Sequence, residues 1–200
     1  MNLCDRNDIL EWLTDNLPPK RVQHILRVET MAQELAKAHQ LSLGIVSQGA
    51  LLHDVAKCYP PQRLLSIAQR NFTELHPIEL QNPHLLHGPV GALEAKRIFG
   101  TENSQVLQAI HNHTLGQPRM DDVSCIVFLA DSLEPGRGET DKLNRLRKTC
   151  YESLAKAVAG TCDYQIKKLI KRNLPIHPRM VDTRNWAIAQ DHRKGDKLNN

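Results

Sequence analysis

Six side chains from five separate segments carry the chemistry this sequence offers: His24, the adjacent His53 and Asp54, His87, His113 and Asp131. Imidazole and carboxylate donors in this mix suit a divalent ion such as iron, manganese or zinc. Such an ion makes a nucleophile from water near neutral pH. The expected chemistry is metal-assisted hydrolysis, with a phosphate compound as substrate. Ten histidines in 200 residues make any single His, or one His-Asp dipeptide, ordinary. The weight lies in the conjunction, because all six fall at inward positions of expected helices.

Those helices have to position the set. Residues 5–17 carry apolar side chains at Ile9, Leu10, Leu13 and Leu17 and stop at Pro18 and Pro19. The prolines suit the first turn of a helix over 19–39. His24 lies on the edge of its apolar face of Ile25, Val28, Ala32, Leu35 and Ala36. Ser42 is the expected cap of a third helix that ends near His53 and Asp54. Adjacent helical residues point about 100° apart, so both reach one ion only if other elements wrap that helix end. Asp54, with two oxygens, could also bridge to a second ion.

Pro60 and Pro61 open a helix through Leu64, Leu65, Ile67 and Ala68. Residues 71–86 read as a loop, and Gly88 and Pro89 as the cap and first turn of a helix ending at Gly100. Asn103 or Ser104 caps a helix through Val106, Ala109 and Ile110 that carries His113 on the same face. His111 then points elsewhere, to the surface or to the periphery of the site. Asp121 caps the segment with the apolar run 125–130, which periodicity alone cannot assign. A helix is expected, because nothing else in the chain looks like a partner strand. Helices at about 139–158, 162–173 and 180–190 follow, with a Pro-containing turn over 174–178. The expectation is an all-α helical bundle over 1–192 with a metal site in its core, and a polar, frayed tail over 193–200.

Composition narrows the function classes. Apolar residues make up 40% and aromatics 4%, which suits a soluble domain packed by Leu, Ile, Val and Ala. A net charge of +4 favours an anionic partner only weakly. No Lys/Arg block with interleaved aromatics is present, so extended nucleic-acid binding is not expected. The five scattered cysteines form no CxxC pair, which argues against a thiolate zinc site and for reduced thiols in the cytoplasm. No signal peptide and no apolar run of membrane length is seen.

The order His24, His53, Asp54, Asp131 resembles the HD-domain superfamily of metal-dependent phosphohydrolases. The closer resemblance is to the YqeK-type symmetrical bis(5'-nucleosyl)-tetraphosphatases. It rests on RVQHILRVETMA (21–32), ALLHDVAK (50–57), LLHGPVGA (85–92), AIHNHTLGQPRM (109–120), IVFLADSLEPGRG (126–138) and LPIHPRMVDTRN (174–185). These stretches cover nearly the whole chain in order. HGPVGA, HTxG and LADxxEPxR are far more specific than the His-Asp pair. Leu115 departs from the pattern, where a small polar residue is expected.

The resemblance implies an HD fold with a metal at His24, His53, Asp54 and Asp131. The metal is iron first, with manganese, cobalt, magnesium or zinc as alternatives, and one or two ions per chain. It implies hydrolysis of diadenosine tetraphosphate to two ADP, and it leaves room for a homodimer. His87 and His113 then hold a second ion or meet the substrate's phosphates. Asp54 is the candidate to direct the proton of the attacking water. Lys57, three residues on, and the Gly-flanked Arg137 are candidates to neutralise phosphate oxygens. Thr114 offers a hydroxyl donor, and His177 in the 174–178 turn is the candidate on the nucleoside side. A phosphohydrolase for another nucleotide, or a non-catalytic nucleotide sensor, is the competing expectation.

Overall fold

The computed structural model describes the backbone of residues 3–198 and the side chains of residues 3–191. It is all helical, with no strand among the described residues. The order is α1 (Arg6–Asn16), α2 (Pro19–Ala38), α3 (Leu43–Leu52), α4 (Pro61–Asn71), α5 (Pro77–Gln81), α6 (His87–Phe99), α7 (Ser104–Asn112), α8 (Asp122–Leu133), α9 (Asp141–Glu152), α10 (Leu154–Lys171) and α11 (Pro178–Leu198). Short 3₁₀ turns lie at Pro83–Leu86 and Pro135–Arg137.

Helix α3 is the axis of the bundle and packs on α2, α7 and α8. Every residue from Val46 to Leu52 is buried. In α8 every residue from Val123 to Ala130 is buried. Neither helix has a polar face, because neither meets solvent along that stretch. This is why the apolar run 125–130 carries no period. Burying side chains such as Leu51, Leu52, Phe128 and Leu129 contributes about 2 kcal/mol each. Helices α6 and α7 close one side, α9, α10 and α11 the other, and α1 covers α2 and α3.

Several local expectations are corrected. Residues 71–86 are not one loop: His76 caps α5 through a reciprocal pair with Glu79, and the 3₁₀ turn Pro83–Leu86 follows. Elements this short bury too few side chains to leave a period. Ser42 occupies the cap position of α3 without a side-chain hydrogen bond. Helices α9 and α10 part at Ser153, whose extended backbone (φ −153°, ψ 113°) ends one helix while its hydroxyl accepts from Lys156 N to start the next. The apolar pattern runs across this one-residue break, so it hid the boundary. The backbone of α11 runs from Pro178 to Leu198. Residues 199–200 of the tail expected over 193–200 lie outside the described residues.

Gly88 and Pro89 do not begin α6. The helix starts at His87 and runs directly on from the 3₁₀ turn, so it offers no open N-terminus to an anion. Gly88 serves packing instead. A Cβ there would lie 2.9 Å from His111 O and 3.2 Å from Ile110 O. The missing side chain lets the start of α6 touch the end of α7, which brings His87 and His113 together.

Candidate metal centre

Three of the four inward histidines are presented by one device. His53 ends α3, His87 joins the 3₁₀ turn to α6, and His113 ends α7. In each, Nδ1–H donates to the carbonyl three residues earlier: His53 to Ala50 at 2.6 Å, His87 to His84 at 2.5 Å, His113 to Ile110 at 2.7 Å. A carbonyl only accepts, so the proton sits on Nδ1 and the Nε2 lone pair faces inward. His24, from the second turn of α2, is oriented by a carboxylate. Its Nδ1 lies 3.0 Å from Glu134 Oε1, and Glu134 is held by Arg27 Nε and the backbone N–H of Gly136, each at 2.6 Å. Acceptor partners of this kind fix the rotamer and tautomer of metal-binding histidines.

The inward atoms form two sets that meet at Asp54. Nε2 of His24 lies 3.0 Å from Asp131 Oδ1 and 3.8 Å from Asp54 Oδ2. His53 Nε2 lies 3.4 Å from Asp54 Oδ2 and 3.7 Å from Asp131 Oδ1. On the other side, Asp54 Oδ1 is 3.4 Å from His87 Nε2 and 3.7 Å from His113 Nε2. His24, His53 and Asp131 form one potential cation site, and Asp54, His87 and His113 a second. His53 continues the helical backbone (φ −55°, ψ −38°) one residue past Leu52, Asp54 follows in the turn, and α2, α7 and α8 pack around α3 so that both side chains reach the cluster.

The donor chemistry fits a cation and fits nothing else so well. His87 Nε2 and His113 Nε2 are 2.9 Å apart, and each presents a lone pair to the other. His53 Nε2 is buried and has no hydrogen-bond partner. Lone pairs converging in a dry interior repel unless positive charge joins them. Each set is two imidazoles with one carboxylate of its own, the first also meeting Asp54 Oδ2, a donor mix suited to iron(II) and related ions.

The electrostatics agree. Burial works against ionising Asp54, but His53, His113 and His87 outweigh it and hold the carboxyl well below its ordinary range. Asp131 is likewise depressed: burial is outweighed by the neighbouring rings of His24 and His53. Burial opposes charge on His53, yet Asp54 and Asp131 raise its pKa. His113 moves the other way, down to about 4, mainly through burial and despite Asp54. It is therefore a neutral imidazole at neutral pH.

Cationic groups crowd the open side. Arg21 Nη1 is 2.8 Å from Asp54 Oδ2. Arg137 Nη2 is 2.6 Å from Asp131 Oδ1, and its Nε donates to Asp131 O at 2.7 Å. Lys57 Nζ is 3.2 Å from His87 Nε2. The Thr114 hydroxyl is 3.2 Å from Nε2 of both His87 and His113. His111 is half-buried, edge-on to Phe72, with a ring-centroid distance of 6.2 Å. Burial, with Arg179 and His113 nearby, lowers its pKa to about 4.

His177 does not reach the cluster. It caps the start of α11 by accepting from Arg179 N at 3.1 Å, and its ring lies tilted at 54° to that of His76, centroids 4.6 Å apart. It lines a cleft of about 290 Å³ that begins at Thr114 and His84 and runs between Leu169, Arg172 and Met180. Leu115, the departure from the motif, is buried in the core and forms part of that wall. The sequence reading missed Glu134, Arg27 and Arg21. Spacing could have found them, because Arg21, His24 and Arg27 recur every three residues on one face of α2, and Glu134 follows Asp131 by three residues, just past the end of α8.

The HD domain family profile matches residues 21–136, the span that contains all six donors. The chain belongs to the HD domain family. Its HD domain is similar to two proteins named symmetrical bis(5'-nucleosyl)-tetraphosphatase. That of Bacillus subtilis (strain 168) is 29% identical over 92% of this chain and 98% of its own length. That of Halalkalibacterium halodurans is 30% identical over 93% and 98%. A crystal structure from Clostridium acetobutylicum, described as an HD superfamily hydrolase involved in NAD metabolism, superposes with a TM-score of 0.88. It is 32% identical, and the match covers 94% of this chain and 100% of that one. The protein is an HD-domain hydrolase with a buried His/Asp cluster able to hold a metal. No described helix is long and apolar enough to cross a membrane.

Proposed function

We propose that this protein hydrolyses diadenosine tetraphosphate symmetrically. Water adds to one of the two central phosphorus atoms, the central P–O–P bridge breaks, and two ADP leave. The observation that carries the hydrolytic reading is the pair of donor sets sharing Asp54, with every inward atom a lone-pair donor. The choice of substrate draws on the relatives' names over more than nine-tenths of the chain.

His24, His53 and Asp131 would hold one ion, and His87 and His113 a second, with Asp54 between them. Iron is the first candidate because each set is two imidazoles and a carboxylate. A bound cation supplies water acidified toward neutrality and neutralisation of phosphate charge. Asp54 accepts and directs the proton of the attacking water. Arg137, Lys57 and the Thr114 hydroxyl bind phosphate oxygens, for they line the cluster's open side. Such positioning and charge neutralisation supply most of the catalysis in phosphoryl transfer. The nucleoside enters the cleft lined by Leu115, Met180 and His177, with Lys168 and Arg172 at its mouth. Five free cysteines accord with a cytoplasmic protein.

The test is product analysis with metal analysis on the purified protein. ADP as sole product, iron at up to two ions per chain and abolition by chelation are expected. ATP with AMP would refute symmetrical cleavage. Faster hydrolysis of another nucleotide in a matched panel would reassign the substrate and leave the metal chemistry standing.

A further inference from the structure

The cluster has more acceptors than its own hydrogens can serve, and three long cationic side chains supply the missing positive charge. Arg137 Nη2 lies 2.6 Å from Asp131 Oδ1 and 3.3 Å from His24 Nε2. Arg21 Nη1 lies 2.8 Å from Asp54 Oδ2. Lys57 Nζ lies 3.2 Å from His87 Nε2. Four of the atoms that would bind metal are thus contacted by the protein's own cations. An imidazole nitrogen has one lone pair. His24 Nε2 cannot serve Arg137 and a metal ion together, nor can His87 Nε2 serve Lys57 and a metal ion. A carboxylate oxygen can serve two partners, but a guanidinium and a dication on one oxygen repel each other.

We propose that Arg21, Lys57 and Arg137 are exchangeable counter-ions: each leaves its metal-donor atom when a metal ion takes it and pairs with the polyphosphate instead, so metal and polyphosphate strengthen each other's binding. The proposal rests on the phosphohydrolase reading above and extends it to Arg21 and to the order inside the site.

The side chains have somewhere to go. Arg21 and Arg137 are 30% and 40% exposed and flank a basic pocket of about 330 Å³ that also contains Lys20 and Arg27. The one buried carboxylate there, Glu134, is already matched by Arg27 and His24. Guanidiniums turned into that pocket meet Lys20, Arg27 and a carboxylate, Glu134, whose partners are already in place, a placement that is unfavourable until an anion arrives. A tetraphosphate lying across the two metal sites supplies that anion, and Arg binds its oxygens bidentately. Metal binding prepares the phosphate site, and phosphate stops the cations from competing with the metal. Linkage requires the two effects to be equal.

The experiment reads metal binding, not hydrolysis. Full-length protein is stripped with chelator and titrated with Mn²⁺, the free ion being followed by its paramagnetic resonance, with and without inorganic phosphate. In the wild type, phosphate should tighten Mn²⁺ binding about tenfold. The double variant Arg21→Gln/Arg137→Gln should bind Mn²⁺ several-fold more tightly without phosphate and lose most of the phosphate effect. Lys20→Gln, in the same pocket but on no donor atom, should match wild type in both respects. Weaker Mn²⁺ binding by the double variant, or an undiminished phosphate effect, overturns the proposal. An equal gain from Lys20→Gln also overturns it, since a general field and not exchange would then explain the result. If the double variant does not fold, Arg21→Gln alone carries the same comparison. A protein that fails to cleave diadenosine tetraphosphate can still show this linkage, and an active one can lack it, so the two readings fail separately.

Discussion

Asp54 and Glu29 are both buried carboxylates, 2% and 3% exposed, and they are surrounded in opposite ways. Glu29, on α2, is met by donors. Arg6 binds it bidentately at 2.8 and 2.7 Å, Gln33 Nε2 lies at 3.4 Å, and the Ser47 hydroxyl makes a short hydrogen bond. Its charge is matched by the protein, and it ties α1, α2 and α3 together. Asp54 has one donor, Arg21 on Oδ2, while Oδ1 faces only the lone pairs of His87 and His113. Burial alone therefore does not mark a functional carboxylate. The sign of what surrounds it does: donors make a structural acid, acceptors make a site that needs a cation.

The largest effect should come from removing the charge that lacks donors. Asp54→Asn is expected to lose metal and to cut turnover by more than about a thousandfold, since cation binding and proton acceptance fail together. Helical circular dichroism should stay intact, and normal turnover would end the metal-water reading. Glu134→Gln, which loosens the anchor of His24 without touching the inward atoms, should weaken metal binding by about 10–100-fold in a competition titration. Glu29→Gln should do the reverse of Asp54→Asn. It is expected to cost about 2 kcal/mol in urea unfolding and to leave turnover per folded molecule unchanged. A loss of metal from that variant would erase the contrast.

Gly88→Ala tests how the two halves of the cluster are held together. The added methyl presses on the end of α7, so a destabilisation of about 1–3 kcal/mol is expected, with metal lost first from the His87 and His113 side. The smallest effect concerns a second donor-matched acid, Glu94. Hydrogen bonds from Arg97, opposed by burial and helped by Tyr59, lower its pKa from 4.5. A carboxyl depressed by folding contributes stability that is complete above its unfolded pKa and disappears as pH falls through its native one. Glu94→Gln should therefore lower stability by a constant amount above about pH 4.5, with the deficit shrinking as pH falls below it, so that the acid side of the stability curve is flatter.

Much of the centre was legible before any coordinates. The six donors, Lys57, Thr114 and Arg137 all reach one place, and their types and motif order name the chemistry. The helices that present them were legible where one face is polar, as in α2 and α7. The pattern failed where burial is complete, as in α8, and where elements are too short to repeat, as at α5 and the 3₁₀ turn Pro83–Leu86. His177, expected on the nucleoside side, lines the cleft beside the cluster.

Residue type fixed what could bind: imidazoles and carboxylates for a cation, guanidiniums and an ammonium for phosphate. Chain geometry alone decided the rest. Which nitrogen of each ring carries the proton depends on a carbonyl one helical turn back, at Ala50, His84 and Ile110. That Asp54 divides its two oxygens between two sets, and that Arg21 joins it, depends on helix ends distant in sequence meeting within a few ångströms. Charge and hydrogen-bonding capacity belong to single residues and can be read along a line, whereas direction and distance exist only once α2, α3, α6, α7 and α8 have packed.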